Sequence, residues 1–393
     1  MADDDHVHKT LATRAIHAGA PRPNLGAAVV TPIFQSANYW MRGETRYEDI
    51  GYIRLHNTPN HDVLHRRLAS LEGGDDALVV ASGMAAISSA ILAFAGGGDH
   101  VLVQQTLYGG TQSFFDDDAP RFGLGHSVID LTDPSGPEAW SKALRPETKV
   151  LYAEAIANPT MEVGNLRAAV DFAKAHGLVS VIDNTFASPV NFRPLELGFD
   201  VVVHSATKYL NGHSDIVAGV VVGSAARVEA VKHLQLHLGA SLDPHACFLL
   251  ERGLKTLALR VAAQNSNALT IARWLESRPE VVRVRYPGLE SDPGHRWAKD
   301  LFDGYGGMLA FELEDGDRAA RCVERLTIPL HAASLGGVES LAVQPSRSVH
   351  LALSPEQRRE RGIIDELIRM SVGIEDVDEL IADLEQALDG SAG

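Results

Sequence analysis

Lys208 is the residue of this chain whose surroundings most suggest covalent chemistry. It follows three valines and a few small or hydroxyl-bearing residues in the stretch 201–215, VVVHSATKYLNGHSD. Three consecutive valines are typical of a buried strand. Since lysines are mostly exposed, Lys208 can simply turn outward into solvent. Alternatively, a cleft that lowers its pKa would let it form a Schiff base with an aldehyde cofactor, with Ser205 and Thr207 nearby as phosphate ligands.

Asp183 and a Ser-Gly turn provide two further groups of the kind that such chemistry needs. Asp183 ends the apolar run VSVID, where an aspartate can form a turn, cap a helix or pair with a protonated pyridine nitrogen. Ser82 and Gly83 stand between an apolar run and a helical pattern. Such a turn presents backbone N–H groups to an anion, although many bind nothing.

A lysine, an acid for the ring nitrogen and a phosphate cup are the parts that pyridoxal phosphate (PLP) chemistry requires. Tyr108, after another strand-like run, can stack on the ring or be an ordinary core or surface tyrosine.

The same stretch allows two other kinds of site. Ser205 and Lys208 form S-x-x-K, the acylation motif of penicillin-binding serine enzymes, but the companion motifs S-D-N and K-T-G do not occur in the sequence. His204, His213 and Asp215 are candidate metal ligands, but their spacing is loose and no H-E-x-x-H motif occurs. Histidines around a glycine turn are more often structural, so we expect no metal site here.

Composition argues against several classes of function. The 393 residues carry 51 acidic and 35 basic side chains, and the net charge of −16 disfavours nucleic-acid binding, because phosphates attract lysine and arginine. The two cysteines, Cys247 and Cys322, lie far apart and fit a reducing cytoplasm better than a disulfide framework. The polar N-terminus lacks the apolar segment of a signal peptide, and no apolar run approaches the ~18 residues of a membrane span. We therefore expect a cytoplasmic protein without nucleic-acid or membrane partners.

Apolar patterns predict strands that alternate with helices in the first two thirds of the chain. The expected strands cover residues 77–81, 101–104, 127–130, 150–155, 179–183, 201–204 and 217–223, and the expected helices between them include 84–95, 109–115, 137–144 and 166–176. This alternation is typical of a mostly parallel, doubly wound sheet. Ligands of such sheets bind beyond the carboxyl ends of the strands. Asn158, Asp183 and Lys208 all fall at or just after such ends.

Three parts of the chain differ in character. Residues 1–60 are largely irregular, and we expect them to form an arm that contacts a neighbouring subunit. Residues 61–245 hold the strands and helices that alternate. Residues 246–393 have helical runs before short strands and end in an amphipathic helix, which predicts a smaller α+β domain.

Ten ordered motifs give the sequence a family resemblance. It resembles the Cys/Met-metabolism branch of the fold-type I (aspartate aminotransferase-like) PLP enzymes, which includes cystathionine γ-synthases, cystathionine β- and γ-lyases, methionine γ-lyases and acylhomoserine sulfhydrylases. The likeness runs from about Thr13 to Leu388. The motifs are IHAG at 16–19, Y-x-R at 52–54, SGMAA at 82–86, YGGT at 108–111, NPTMEV at 158–163, VIDNTFASP at 181–189, HSATKYLNGHSD at 204–215, RGLKTL at 252–257, SLGGVESL at 334–341 and LIRMSVGIED at 367–376. The resemblance implies an α/β fold with a mostly parallel seven-stranded sheet and a smaller C-terminal α+β domain.

The resemblance also implies a role for each candidate residue. The implied cofactor-binding residues are Tyr52, Arg54, Ser82, Gly83, Met84, Tyr108, Asn158, Asp183, Ser205, Thr207 and Lys208. Lys208 would hold PLP and then remove the substrate Cα proton, with help in proton transfer from Tyr108. Tyr52 and Arg54 would reach the phosphate from a neighbouring subunit, which makes at least a dimer obligatory and a homotetramer, a dimer of dimers with shared active sites, the common form.

The substrate side of the resemblance is less uniform. Arg369, with Asn158 and Ser334, would hold the α-carboxylate of an amino acid, since a guanidinium fork suits that anion. Many cystathionine γ-synthases and γ-lyases carry a glutamate directly before Y-x-R and another directly before SLGG; this chain has Gly51 and Ala333 there. The cysteine that is typical of methionine γ-lyases after Tyr-Gly is Gly110 here.

These departures predict a distal pocket that is less acidic and roomier than a cystathionine site. The function that we expect is carbon–sulfur lysis of a sulfur amino acid by β- or γ-elimination, with release of ammonia, a 2-oxo acid and a thiol. Two alternatives stay open. One is γ-replacement that joins a thiol to an O-acylhomoserine, and the other is a non-catalytic scaffold of the same fold.

Overall fold

Two β-sheets organise the chain in the computed structural model, which describes residues 9–348 and 354–391. The strands of the larger sheet are β1 (Asp76–Val80), β2 (His100–Gln104), β3 (Gly125–Ile129), β4 (Thr148–Glu154), β5 (Val179–Asp183), β6 (Val201–Ser205) and β7 (Gly219–Gly223). The smaller sheet contains β8 (Arg283–Arg285), β9 (Met308–Glu312), β10 (Leu341–Val343) and β11 (Leu367–Ser371).

Helices connect and cover these strands. They are α1 (Leu11–His17), α2 (Pro59–Glu72), α3 (Gly83–Phe94), α4 (Gly109–Ser113), α5 (Pro137–Ser141), α6 (Leu166–Ala175), α7 (Ser188–Asn191), α8 (Pro194–Leu197), α9 (Ala225–Leu238), α10 (Pro244–Leu254), α11 (Leu257–Glu276), α12 (His295–Ala298), α13 (Gly316–Arg325), α14 (Pro355–Glu360) and α15 (Val377–Gly390). A π-helical turn, Phe114–Asp118, continues α4. Short 3₁₀ turns occupy Leu25–Ala27, Tyr47–Asp49, Ile53–Leu55, Ala119–Phe122 and Pro345–Arg347.

The larger sheet has the strand order β1-β7-β6-β5-β4-β2-β3. Neighbouring strands from β6 to β3 run parallel, whereas β7 is antiparallel to both β1 and β6. The chain passes from β6 to β7 without an intervening helix, and a connection of that kind returns the chain in the opposite direction. The predicted α/β fold with a mostly parallel seven-stranded sheet is thus confirmed.

Apolar side chains pack on both faces of this sheet, which places it in the middle of three layers. Residues of α3 and α9 pack on one face, where the core includes Ile87, Val103 and Val203. Residues of α2, α6, α10 and α11 pack on the other face, where the core includes Leu64 and Val202. Both faces of a parallel sheet are normally covered in this way.

The parallel strands and the helix after the Ser-Gly turn direct several polar groups toward one end of the sheet. The strands β4, β5 and β6 end side by side at Glu154, Asp183 and Ser205. At the same end, the Ser82 hydroxyl accepts from the backbone N–H of Ala85 and caps the N-terminus of α3. Chemistry is therefore expected at this edge.

Two features differ from the patterns read in the sequence. Residues 11–17, expected to be irregular, form α1, whose N-cap is Thr10 and whose Ala15 is buried. The strands β10 and β11 were not expected, because β10 has only three residues and β11 carries Arg369 at its centre. The smaller sheet, in the order β10-β11-β9-β8, is antiparallel throughout its described pairs.

Candidate active site

A cavity of about 390 Å³ opens at the carboxyl ends of β4, β5 and β6, beside the N-terminus of α3. It is lined by side chains from both halves of the chain. Of the residues that the sequence singled out, the lining contains Ser82, Gly83, Met84, Tyr108, Asn158, Asp183, Ser205, Thr207, Lys208, Ser334 and Arg369. The structure therefore brings all but two of the predicted site residues together.

Lys208 lies in the turn that follows β6, where its backbone N–H donates to Ser205 O at 3.1 Å. Its Nζ atom donates to Ser334 Oγ at 2.6 Å, so a residue far along the chain orients the amine. Burial, with the positive charge of Arg369, lowers the pKa of the Lys208 amine to about 8. A lysine with this pKa is partly uncharged near neutral pH and can serve as a nucleophile or a base.

Asp183 occupies the last position of β5 and is buried. Its Oδ1 atom accepts from the backbone N–H of Thr185 at 2.9 Å. Burial raises the pKa of the Asp183 carboxyl, while the hydrogen bonds from Thr185 act in the opposite direction. A carboxyl group in such a place needs a cationic partner to stay ionised, and a protonated ring nitrogen is one.

The N-terminus of α3 faces the strand end that carries Ser205. A Cβ atom at Gly83 would lie 2.7 Å from Ser205 Cβ, so only glycine lets the helix approach this strand so closely. Thr207 lies across the same space, and its Oγ1 exchanges hydrogen bonds with the backbone of Ala218, at 3.0 and 3.2 Å. Free backbone N–H groups at a helix N-terminus, together with two hydroxyls, form a site that suits a phosphate.

Arg369 is a buried cation on the opposite side of the cavity, 3% exposed. One guanidinium nitrogen donates to Asn158 Oδ1 at 3.0 Å and another to Ser334 O at 3.1 Å. Burial lowers the pKa of Arg369 to about 10, which leaves the group charged near neutral pH. Both bonds go to neutral oxygen atoms, and a buried charge is costly without a counter-ion. A carboxylate ligand would provide one.

Tyr108 stands at the N-terminus of α4 and is 44% exposed. Its backbone N–H donates to Glu154 Oε1 at 2.6 Å. A Cβ atom at Gly110 would lie 2.7 Å from Tyr108 Cε1, so the glycine at this position allows the observed orientation of the ring. Ala333 lines the cavity nearby, and Gly51 lies on the arm, where an added Cβ would meet Tyr39 at 2.9 Å.

Tyr52 and Arg54 are the two predicted site residues that lie outside the cavity of their own chain. The Arg54 guanidinium donates to Tyr47 Oη at 2.5 Å and to Leu236 O, and it lies 5.7 Å from the centre of the Tyr52 ring. Tyr52 is 39% exposed. Their place in a neighbouring subunit's site stays a prediction.

Glu154 is a cavity residue that the sequence reasoning missed. It is buried, and burial together with the charge of Asp183 raises the pKa of its carboxyl well above the usual range. The sequence did contain a signal, because an acidic residue ends the apolar run VLYAE just as Asp183 ends VSVID. Acidic residues at the ends of neighbouring buried strands are brought side by side by a parallel sheet.

The alternative metal ligands have other partners. His204 Nε2 lies 2.6 Å from Glu72 Oε1, and His213 Nδ1 lies 2.7 Å from Asn211 O. Asp215 accepts from the Asn211 side chain at 2.8 Å. Within residues 9–348 and 354–391, no three His, Cys, Asp or Glu side chains are placed to bind one metal ion. In the same part of the chain, no helix has the length and apolar character that would be needed to cross a membrane.

The residues present fit PLP. The lysine, the strand-end acid and the phosphate-sized cradle around Gly83 all face one cavity, and each has the chemistry that one part of that cofactor requires. Arg369 lies at the same cavity and provides a site for a carboxylate. This is the arrangement of an enzyme that acts on amino acids.

Comparison with known proteins agrees with this geometry. A family model described as Cys/Met metabolism PLP-dependent enzyme matches residues 12–389. The L-methionine gamma-lyase of Pseudomonas putida is 43% identical, over 97% of this chain and 98% of that protein. The cystathionine beta-lyase of Coxiella burnetii is 41% identical, over 99% of this chain and all of that protein (100%). Among solved structures, the cystathionine gamma-lyase from Lactobacillus plantarum, complexed with L-serine, has a TM-score of 0.91 and 38% identity, with 97% of this chain and 99% of that chain covered.

Proposed function

The chain belongs to the Cys/Met metabolism family of PLP-dependent enzymes, and on this basis we propose that it is a carbon–sulfur lyase that acts on a sulfur amino acid. The reaction is β- or γ-elimination, with release of ammonia, a 2-oxo acid and a thiol. The names of the relatives, L-methionine gamma-lyase and cystathionine beta-lyase, support this reaction type at about 40% identity over nearly the whole chain. The observation that carries the proposal is the cavity that holds Lys208, Asp183 and Arg369 together.

When bound, PLP supplies an electron sink that stabilises negative charge at the substrate Cα. Lys208 would hold its aldehyde carbon and Asp183 its pyridine nitrogen. The phosphate would lie at the N-terminus of α3, near Gly83, Ser205 and Thr207, where N–H and hydroxyl donors converge. Ser82 and Met84 belong to the same turn and complete this end of the site.

Arg369 and Asn158 would bind the carboxylate of the substrate and set its orientation. The guanidinium is already fixed by Asn158 Oδ1 and Ser334 O, so little side-chain entropy is lost when a carboxylate arrives. A fixed carboxylate limits the positions that the Cα–H bond can take toward Lys208. Positioning of this kind accounts for a large share of the rate acceleration in many enzymes.

Lys208 would take the Cα proton. Its pKa of about 8 allows a useful fraction of free amine near neutral pH. Ser334 Oγ, 2.6 Å from Nζ, keeps the amine in place when it is not bound to the cofactor. Tyr108, which also lines the cavity, is the group that we assign to proton delivery at the leaving sulfur.

The assembly that fits this site is a homotetramer, a dimer of dimers with shared active sites. Tyr52 and Arg54 would complete the phosphate site of the neighbouring subunit, which fits their position outside the cavity of their own chain. We also propose a division into an arm (1–60), a PLP-binding domain (61–245), within which the larger sheet lies, and a C-terminal α+β domain (246–393), within which the smaller sheet lies. We assign the protein to the cytoplasm, from its two separate cysteines and its metabolic relatives.

Substrate choice is the part of the proposal that depends on small side chains. Ala333 lines the cavity without a charge, and Gly51 lies on the arm where a longer side chain would meet Tyr39. A substrate whose distal end is apolar or short suits such a pocket better than cystathionine, whose distal amino group lacks a carboxylate partner at Gly51 and Ala333. We therefore rank methionine, homocysteine and cysteine derivatives above cystathionine.

A substrate panel tests both the reaction and the preference. The purified holoenzyme is given methionine, homocysteine, cysteine, cystathionine, and O-acylhomoserine with and without a thiol. Release of 2-oxo acid from the sulfur amino acids supports elimination, whereas a new thioether without 2-oxo acid would assign γ-replacement instead. A protein that binds no PLP and turns over no substrate would be a scaffold.

The matched variant is Ala333→Glu, which restores an acidic group at the cavity. An exposed charge pair contributes about 0.2–1 kcal/mol, so the relative kcat/KM for cystathionine should rise about 1.4- to 5-fold. A parent enzyme that already prefers cystathionine strongly would contradict the ranking.

A further inference from the structure

Glu154 is a buried acid at the active site to which the proposed mechanism gives no role. It occupies the last position of β4, is 4% exposed, and lines the cavity between Tyr108 and Asn158. Acidic side chains are almost never buried to this degree unless they have partners. The partners of Glu154 are therefore informative about its purpose.

The sheet places Glu154 directly beside Asp183. The two residues are paired in the register of β4 and β5, and the backbone N–H of Ala155 donates to Asp183 O at 2.9 Å. Because side chains alternate between faces along a strand, paired residues point to the same face. Two neighbouring buried carboxyl groups cannot both remain ionised without a large cost, so one of them is neutral near pH 7.

The neutral one is Glu154. Burial and the charge of Asp183 raise the pKa of Glu154 well above the usual range, although its hydrogen bonds from the backbone N–H groups of Tyr108 and Asn158 act in the opposite direction. Burial also raises the pKa of Asp183, and the hydrogen bonds from Thr185 favour its ionised form. Asp183 is thereby left as the anion that would pair with the ring nitrogen of PLP. Glu154 is left with two oxygen atoms for other contacts.

Those two oxygens each accept from the backbone of a different active-site segment. Oε1 accepts from the N–H of Tyr108 at 2.6 Å, and Oε2 accepts from the N–H of Asn158 at 3.3 Å. The Glu154 N–H itself donates to Gln104 Oε1 at 3.0 Å, which anchors the strand end to β2. One side chain thus connects the start of α4 with the loop after β4.

We propose that Glu154 is a positioning residue that fixes the distance between Tyr108 and Asn158. Tyr108 faces the cavity from the start of α4, and Asn158 holds the guanidinium of Arg369 at 3.0 Å. Glu154 therefore sets how far the tyrosine lies from the group that binds the substrate carboxylate. The inference rests on the proposed function for the identity of the ligands, but the hydrogen bonds that carry it belong to this chain alone.

Glu154→Gln isolates this role. Because Glu154 is neutral, the amide keeps the charge and the shape, but its NH₂ group now meets one of the two backbone N–H donors and that bond is lost. A buried donor left without an acceptor costs enough to change an equilibrium constant about 10-fold. We expect KM for a sulfur amino acid to rise about 10-fold, and the visible circular dichroism of bound PLP to change in intensity because Tyr108 moves.

Glu162→Gln is the matched control. Glu162 lies eight positions later and receives the same substitution. Its side chain is exposed, and its Oε2 accepts from Thr106 Oγ1 at 3.3 Å, outside the cavity lining. This variant should keep KM within twofold of the parent and leave the visible circular dichroism unchanged. A purely structural role of Glu154 would lower the unfolding midpoint while KM and the dichroism of the folded fraction stayed at parent values, and that result would overturn the proposal.

Glu154→Asp covers the case in which the glutamine variant does not fold. The shorter acid cannot span both N–H groups, so the same rise in KM and the same spectral change are expected, and parent-like values would count against the proposal. The dichroism of bound PLP does not depend on turnover, so it tests Glu154 even if no sulfur amino acid is a substrate. Failure of the parent enzyme to release any 2-oxo acid would instead refute the proposed function.

Discussion

The cavity wall and the N-terminal arm are built in opposite ways. In the wall, Asp183 and Arg369 are 8% and 3% exposed, and each is held by hydrogen bonds of its own chain. On the arm, Val29 and Trp40 are 99% and 93% exposed. A single chain therefore brings the cavity residues together, but it leaves large apolar side chains of the arm uncovered. Apolar side chains exposed together along one segment mark an interaction surface, so we expect a second copy of the chain to cover the arm.

The largest expected effect is that of Lys208→Ala, which tests whether this cavity residue is the base of the reaction. Loss of a general base costs about 10²–10⁴-fold in rate, and covalent attachment of PLP is lost as well. We expect no aldehyde–lysine absorption band and no 2-oxo acid above background. Lys299→Ala, an exposed lysine after α12, is the control and should match the parent. Turnover retained by Lys208→Ala would assign the base to another residue.

The dependence of the unfolding free energy on acidic pH tests the packing where the N-terminal arm meets α2. Burial lowers the pKa values of His56 and His61 to about 4, so the folded chain keeps both neutral while the unfolded chain binds protons below about pH 6.5. Their contribution to stability is complete above pH 6.5 and is lost as the pH falls toward 4. Each such histidine makes the free energy of unfolding fall by about 1.4 kcal/mol per pH unit in that window.

His56→Asn should flatten this dependence, measured as the urea midpoint between pH 7 and 4.5. His56 has a φ of 56°, a left-handed conformation that asparagine tolerates. The total difference expected between pH 6.5 and 4 is about 3 kcal/mol. His233→Asn, an exposed histidine on α9, is the control for the substitution itself. An unchanged slope in His56→Asn would show that His56 is already protonated in the folded chain.

Arg54→Ala tests whether the arm completes a site in another chain. Hydrogen bonds to charged groups contribute about 1.5–3 kcal/mol, so we expect PLP affinity to fall about 10- to 100-fold. Mixing it with Lys208→Ala, by co-expression, should restore activity because one site of each mixed pair then has both Lys208 and Arg54. If the two variants pair at random, about half of the pairs are mixed, and one of the two sites in each mixed pair is intact. The expected number of intact sites is therefore roughly a quarter of that in the parent enzyme. No recovery in verified mixed assemblies would contradict shared sites.

The contrast between wall and arm also explains how much the sequence revealed. The strand β5 lies where the pattern predicts it, at Val179–Asp183, because the four apolar or small residues that precede Asp183 have few alternatives to burial. Asp183 and Lys208 were found for the same reason, since a charged residue at or soon after the end of an apolar run is conspicuous. Together with the turn at Ser82 and Gly83, this pair suggested PLP, and the family resemblance then implied that cofactor.

The residues that were missed depend on contacts between distant parts of the chain. Glu154 matters because β4 and β5 are paired in a register that no local pattern specifies. The family resemblance did predict a role for Arg369, but the strand around it, β11 (LIRMS), was missed. A charged residue at its centre argues against a buried strand unless its distant partners, Asn158 and Ser334, are known. The helix α1 was missed because seven residues are too few for a clear period.

The order of the strands has a consequence for synthesis of the chain. Within the described sheet, β1 pairs only with β7, so residues 76–80 find their hydrogen-bonding partner when residues 219–223 have left the ribosome. At about 5–20 residues per second, the wait lasts on the order of ten seconds. During that time the apolar strand DALVV has an unpaired edge, which is the kind of segment that chaperones bind and that aggregates when they are scarce. The yield of folded enzyme should therefore depend on how quickly the middle of the message is translated.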